Sequence, residues 1–232
     1  MNRFDYINEN IRHTQNRIAA AARKVGRKPE EITLVAVSKT HPATMIKAAV
    51  EFGLTQIGES RVQEAEPKIT SLGPICRWHM IGHIQTNKAK KIVSLFDFVH
   101  SLDSEKLADE INRRAGQAGR KIECLIEVNS SGEKTKEGVA PDETIDLIKI
   151  IGSMENIDLR GLMTIAPFTD DEKPVRAAFR LTRSLFERGR GIVGDSFGIL
   201  SMGMSDDFEI AIEEGSNMVR IGTALFGPRE SR

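Results

Sequence analysis

Three groups of residues in this sequence have types and spacings suited to chemistry. The first is Leu34-Val35-Ala36-Val37-Ser38-Lys39-Thr40, where four apolar residues run unbroken towards a lysine and Pro42 follows. A continuous apolar run bounded by turn signals reads as a strand buried on both faces, as in a parallel sheet. A lysine at the C-terminal tip of such a strand lays its stem in apolar surroundings. Partial desolvation disfavours the charged amine, and a neutral amine is a nucleophile that forms an imine with an aldehyde. The alternative is a strand-end lysine whose amine reaches water.

The second group is Ser201-Met202-Gly203-Met204-Ser205 together with Gly222-Thr223. Small residues let backbone N–H groups approach an anion, and Ser201, Ser205 and Thr223 add hydroxyl donors. A helix expected to start near Ser205 aims its positive end at the same place. Ordinary turn chemistry accounts for these residues as well, with Ser205 capping that helix and Asp206 and Asp207 complementing its dipole. The third is Arg220, inside the apolar run Met218-Val219-Arg220-Ile221. A cation among buried neighbours requires a partner. The candidates are a carboxylate such as Glu59 or a ring nitrogen of a bound ligand.

These groups need a scaffold that gathers them. The chain has 232 residues, within the range of one α/β barrel domain. An amphipathic helix is expected from Phe4 to Val25, ended by Gly26 and Pro29. About eight strand segments follow, each separated from the next by a helical one: 32–37, 55–59, 77–82, 96–101, 122–129, 159–164, 197–202 and 218–221. An alternating pattern with buried strands fits either an open doubly wound sheet or a closed barrel. The even repeats, with no mid-chain linker, favour an α/β fold made of a single (β/α)8 TIM barrel over residues 1–232, with an extra N-terminal helix. In such a barrel the C-terminal strand ends face one site. Here they carry Lys39, Glu59, Ser60, His79, Gly82, His100, Asn129, Met163, Thr164, Ser201 to Ser205 and Arg220 to Thr223.

Composition narrows the function. Lys+Arg and Asp+Glu are 33 each, a formal net charge of zero, so there is no global electrostatic case for nucleic acid or an anionic membrane. Cys76 and Cys124 match no metal or redox spacing and read as reduced core thiols. No apolar run approaches the roughly 20 residues of a membrane span. The polar N-terminus lacks a signal-peptide core, and a cytoplasmic protein is expected.

An imine-forming lysine, an anion cradle and a ring-nitrogen partner on one barrel face together describe a site for pyridoxal 5'-phosphate. At these residues the sequence resembles the pyridoxal phosphate homeostasis protein family. The resemblance rests on Val35 to Thr40, Gly58-Glu59 with Val62-Gln63-Glu64, Trp78 to Gly82, Gln85 to Lys88, Gly161-Leu162-Met163, Leu200 to Ser205 and Arg220 to Gly227. It implies a barrel like the N-terminal domain of alanine racemase. Lys39 would be the Schiff-base lysine, Ser201, Ser205, Gly222 and Thr223 the phosphate ligands, and Arg220 the partner of the pyridine nitrogen. His79, Met202, Ser60 and Met163 would line the pocket. Family members typically carry asparagine where Ser60 stands, and a shorter hydroxyl there reaches the ring only through water. Lys136 matches a family lysine suggested to hold or pass on the cofactor; its other reading is a solvated loop lysine.

The resemblance implies a carrier or buffer of the cofactor rather than an enzyme, with dependent apo-enzymes as partners. Alanine racemases use a catalytic tyrosine from a second domain, and the one tyrosine here, Tyr6, falls in the first helix. A monomer is expected. A small pyridoxal phosphate-dependent racemase or lyase is the competing reading, and an interaction module built on the basic stretch Lys88 to Lys91 is a third.

Overall fold

The computed structural model describes residues 4–133 and 137–228. Strands β1 (Thr33–Val37), β2 (Gln56–Glu59), β3 (Arg77–Met80), β4 (Phe98–Leu102), β5 (Ile122–Val128), β6 (Ile157–Thr164), β7 (Ile199–Ser201) and β8 (Met218–Ile221) pair in chain order and close into a barrel. Every pairing is parallel, and closure is made by β1 on β8, with Leu34 opposite Val219 and Val35 opposite Arg220. Parallel neighbours need a crossover, and helices α2 (Ala43–Glu51), α3 (Val62–Leu72), α4 (Ala89–Leu95), α5 (Glu105–Gln117), α6 (Thr144–Gly152), α7 (Glu172–Val193) and α8 (Phe208–Glu213) supply it. A short helix, α9 (Thr223–Phe226), follows β8.

Successive strand residues point to opposite faces, which divides the core in two. Val35, Phe98, Leu125, Met163 and Met218 fill the barrel interior. The residues between them, such as Ala36, Val99, Cys124 and Leu162, face the helices and join the larger outer core. The expected additional helix is α1 (Asp5–Lys24), which buries Ile7, Ile11, Ile18 and Ala22. It lies alongside the last units of the barrel. Arg17 pairs with Glu209 and Lys24 with Glu213, while Asn10 Nδ2 donates to the Leu225 carbonyl at 3.0 Å.

Two boundaries depart from expectation for identifiable reasons. The helix expected near Ser205 begins at Phe208, because Asp207 Oδ1 accepts the Met204 N–H at 2.6 Å and closes a turn first. The spacing predicts a helix from near Val175 to Arg188, but α7 starts earlier, at Glu172: Pro174 sits in its first turn, where a missing N–H is harmless, and Asp171 caps it by accepting from the Lys173 N–H. Among the described residues, no helix is long and apolar enough to cross a membrane.

Candidate functional site

The alternation along β1 decides where Lys39 goes. Val35 is in the interior, Val37 and Lys39 line a cavity at the barrel mouth, and Ser38 turns outward. Ser38 is clamped there. Its hydroxyl donates to Glu59 Oε1 at 2.6 Å, and Lys68 Nζ donates to the same oxygen at 2.7 Å and to the Ser38 carbonyl at 3.0 Å. Glu59 is fully buried, and burial raises its pKa while Lys68 and Ser38 oppose the rise. Thr40 follows at φ 70°, the only described non-glycine residue with positive φ. For a β-branched residue this is a strained conformation. It makes a turn directly after Lys39, and His41 beyond it lines the same cavity.

Arg220 reaches the cavity from β8 and is 4% exposed. The carboxylate partner considered from the sequence, Glu59, is committed to Lys68 on the outer side of the wall. Arg220 is instead held by neutral oxygens. One Nη donates to the Ser201 carbonyl at 2.9 Å and to Ser201 Oγ at 2.7 Å; the other donates to the Thr164 carbonyl at 2.9 Å. A guanidinium has five N–H groups, so two remain for a ligand. Burial lowers its pKa to about 10, with Glu127 and Asp207 pulling it back up.

The turn after β7 needs its glycine. Gly203 has φ +93°, and a Cβ there would lie 2.6 Å from the Ala211 Cβ. The Gly203 carbonyl accepts the Arg220 N–H at 3.0 Å, tying this turn to β8. Gly222 then opens α9, with the Val37 carbonyl 3.1 Å from where its Cβ would stand. The first N–H groups of any helix lack intrahelical acceptors.

The result is one cavity of about 420 Å³ lined by Lys39, Ser60, Ser205, Arg220, Gly222 and Thr223, six of the residues singled out from the sequence. The other four do not line it. Ser201 is fully buried beneath it under Arg220, Met163 fills the barrel interior, Met202 faces the outer core, and His79 lies inside the barrel against Phe98. Lys136 falls outside the described residues. The cavity also takes in residues that sequence reasoning passed over: His41, Arg61, Ile81, His83 and Ile165. Each immediately follows or nearly follows a strand end, and that position was the available signal. His83 Nδ1 lies 3.5 Å from Asp103 and 3.2 Å from Glu137, and these are the only described residues grouped like metal ligands. His83 and Glu137 are exposed, the ordinary setting of a surface polar contact.

Residues 8–230 match the family model of the alanine racemase N-terminal domain, which places the chain in that class of barrel. The alanine racemase of Corynebacterium glutamicum shares the fold at 15% identity, TM-score 0.73, covering 98% of this chain and 62% of that one. Closer similarity is to smaller proteins. The pyridoxal phosphate homeostasis protein of Aquifex aeolicus is 41% identical over 96% of this chain and 98% of its own length. That of Pseudomonas aeruginosa is 41% identical over 97% and 96%. The structure of PipY from Synechococcus elongatus without pyridoxal phosphate has a TM-score of 0.83 at 35% identity, covering 92% of this chain and 99% of that one. Its pyridoxal phosphate-bound form has a TM-score of 0.79 at 34% identity, covering 90% and 100%. The chain belongs to the pyridoxal phosphate homeostasis protein family.

Proposed function

We propose that this chain binds pyridoxal 5'-phosphate at the barrel mouth, with Lys39 as its covalent anchor, and keeps the cofactor available to apo-enzymes rather than turning over substrate. The observation that carries the reading is the meeting of Lys39, Arg220, Ser205 and Thr223 around one cavity. The cofactor brings an aldehyde, a phosphate and a heteroaromatic nitrogen. The residues present fit all three. Lys39 offers an amine on a clamped strand end. Ser205 and Thr223 offer hydroxyls beside the close-approach glycine, Gly222, and the open first turn of α9. Arg220 retains two N–H groups beyond those given to Ser201 and Thr164. Ser60 lines the wall as a short hydroxyl that contributes through water. Ser201 acts from below, by holding Arg220, rather than on the phosphate itself.

Two features favour a carrier over an enzyme. A fixed guanidinium at a ring nitrogen disfavours its protonation, which weakens the ring as an electron sink. The rim is open, carrying exposed Arg61, His83, Met204 and Asp206, whereas carbanion chemistry needs water excluded. Titration with pyridoxal 5'-phosphate tests the proposal. The protein gains a visible absorption band that Lys39→Ala abolishes. Arg220→Ala shifts the band and weakens binding about 10- to 100-fold, the worth of a hydrogen bond to a charged group. A protein that takes up no cofactor refutes the reading. Steady racemisation or lyase turnover across an amino-acid panel refutes its non-catalytic part.

A further inference from the structure

A second set of polar groups runs through the barrel interior below the cavity. His79 and His100 are both fully buried. His79 Nε2 lies 2.8 Å from Gln56 Oε1, His79 Nδ1 lies 2.9 Å from His100 Nε2, and His100 Nδ1 lies 3.4 Å from Ser201 Oγ. Ser201 Oγ also accepts from Arg220 at 2.7 Å. Four links therefore join Gln56 on β2 to Arg220 on β8 through β3, β4 and β7.

The directions of these bonds follow from one fact: a guanidinium only donates. Ser201 Oγ accepts from Arg220, so its own proton is free for His100 Nδ1, the one other partner within reach. His100 Nδ1 is then the bare nitrogen and Nε2 carries the proton. That proton goes to His79 Nδ1, which leaves His79 protonated on Nε2 and donating to the Gln56 carbonyl oxygen. The amide orientation agrees, since Gln56 Nε2 points the other way and donates to Thr55 Oγ1 at 3.3 Å. Only this arrangement satisfies every group, and it requires both rings to be neutral. Burial lowers the His79 pKa to about 3 and that of His100 well below the usual histidine value, and the cations Arg77 and Arg220 push the same way.

We propose that His100 is a positioning residue, fixing the Ser201 hydroxyl so that its lone pair faces Arg220 and the guanidinium is held in one orientation towards the cofactor's ring. His79 and Gln56 brace His100. Without His100 the Ser201 hydroxyl is free to rotate, and Arg220 loses a directed acceptor. The inference rests on the proposed ring-nitrogen role of Arg220.

The test uses the full chain in two measurements. Nitrogen-15 NMR of the cofactor-free protein reads the imidazoles directly: both rings carry the proton on Nε2, and Ser201→Ala moves His100 to a mixture of tautomers. Titration with pyridoxal 5'-phosphate reads the consequence. His100→Leu weakens binding about tenfold and shifts the absorption band, as expected for one lost hydrogen bond in a charged network. His100→Asn, whose amide oxygen can replace Nδ1, restores most of both. A His100 proton on Nδ1 in the wild-type protein overturns the proposal. So does a folded His100→Leu protein with unchanged affinity and spectrum. If His100→Leu does not fold, Ser201→Ala decides: unchanged tautomer and affinity refute the inference. An Arg220→Ala protein with an unaltered spectrum would instead refute the ring-nitrogen reading, and the tautomer measurement would still judge the hydrogen-bond chain.

Discussion

Glu127 offers a sharp test of the electrostatics at the barrel mouth. It is the penultimate residue of β5 and 6% exposed, and its carboxyl makes no side-chain hydrogen bond or ion pair among the described residues. Burial pushes its pKa from 4.5 to about 7; Arg220 resists the rise, and the nearby carboxylates of Asp103 and Glu137 add to it. The folded-state value lies above the unfolded one, so the native protein binds this proton more tightly. Stability from Glu127 is therefore complete below about pH 4.5 and lost as pH rises through 7. At about 1.4 kcal/mol per pKa unit, the loss is about 3 kcal/mol. Glu127→Gln keeps the shape and cannot ionise. It is expected to match the wild type in urea unfolding near pH 4.5 and to exceed it by about 3 kcal/mol near pH 8. Arg220 does not reverse this, because its attraction for Glu127 is already contained in the shift. The cofactor is left out of both measurements. Equal differences at the two pH values would refute the reasoning. A Gln variant less stable at pH 8 would show that the charged carboxylate is a net stabilising partner for Arg220.

Two further changes probe the frame around Lys39 and Arg220. Lys68→Met leaves the fully buried Glu59 without its cation and is expected to cost about 3–5 kcal/mol near pH 8. The cost shrinks near pH 5, where a protonated Glu59 tolerates the loss; urea midpoints at both values check this, and a small pH-independent change would count against the clamp. Gly203→Ala places a Cβ against Ala211 in a backbone conformation that disfavours it, and should cost about 2–4 kcal/mol of combined strain and overpacking. Thermal unfolding with an unmoved midpoint would show that the turn adapts.

The fold is legible in the sequence because barrel strands are buried on both faces. Runs such as Leu34–Val37 and Met218–Ile221 stand out as unbroken apolar segments, and Lys39 and Arg220 stand out by interrupting them. The cavity residues near them follow from strand-end position alone. What lies beneath is not legible, because it depends on register between distant strands. His79 and His100 are 21 residues apart, and only the β3–β4 pairing brings their rings to 2.9 Å. Ser201 counts as a phosphate ligand by type and spacing, yet the inward alternation of β7 sets it under the Arg220 guanidinium. Met202, its neighbour, is sent outward by the same alternation. Glu127 reads from sequence as one polar position in the expected strand 122–129, and its cost appears only when the chain bearing Glu137 folds back, with the Val139 N–H donating to the Glu127 carbonyl at 2.8 Å. The misplaced start of α8 has a local cause that spacing does not encode, the reach of Asp207 back to Met204.

The two cations Lys39 and Arg220 that line the cavity are held from different sides of the barrel wall, and the difference bears on the proposed function. The amine of Lys39 sits on a short segment whose rigidity comes from outside the barrel. The Glu59–Lys68 pair fastens Ser38, and the strained Thr40 makes the turn that follows. The amine itself stands at the end of a four-carbon stem, so the backbone beneath it is firm while the side chain spans the cavity edge. Arg220 is the reverse. Its charge is immobilised inside by oxygens of Ser201 and Thr164, and the hydrogen-bond chain to Gln56 leaves its Ser201 contact one satisfied orientation. Under the proposed function, a fixed donor paired with an amine at an open rim suits capture and release. The ring would then meet a constant partner, and the covalent bond would depend on a lysine at the open rim. An enzyme built on the same barrel would need the reverse emphasis, a shielded amine and a ring nitrogen free to take up a proton.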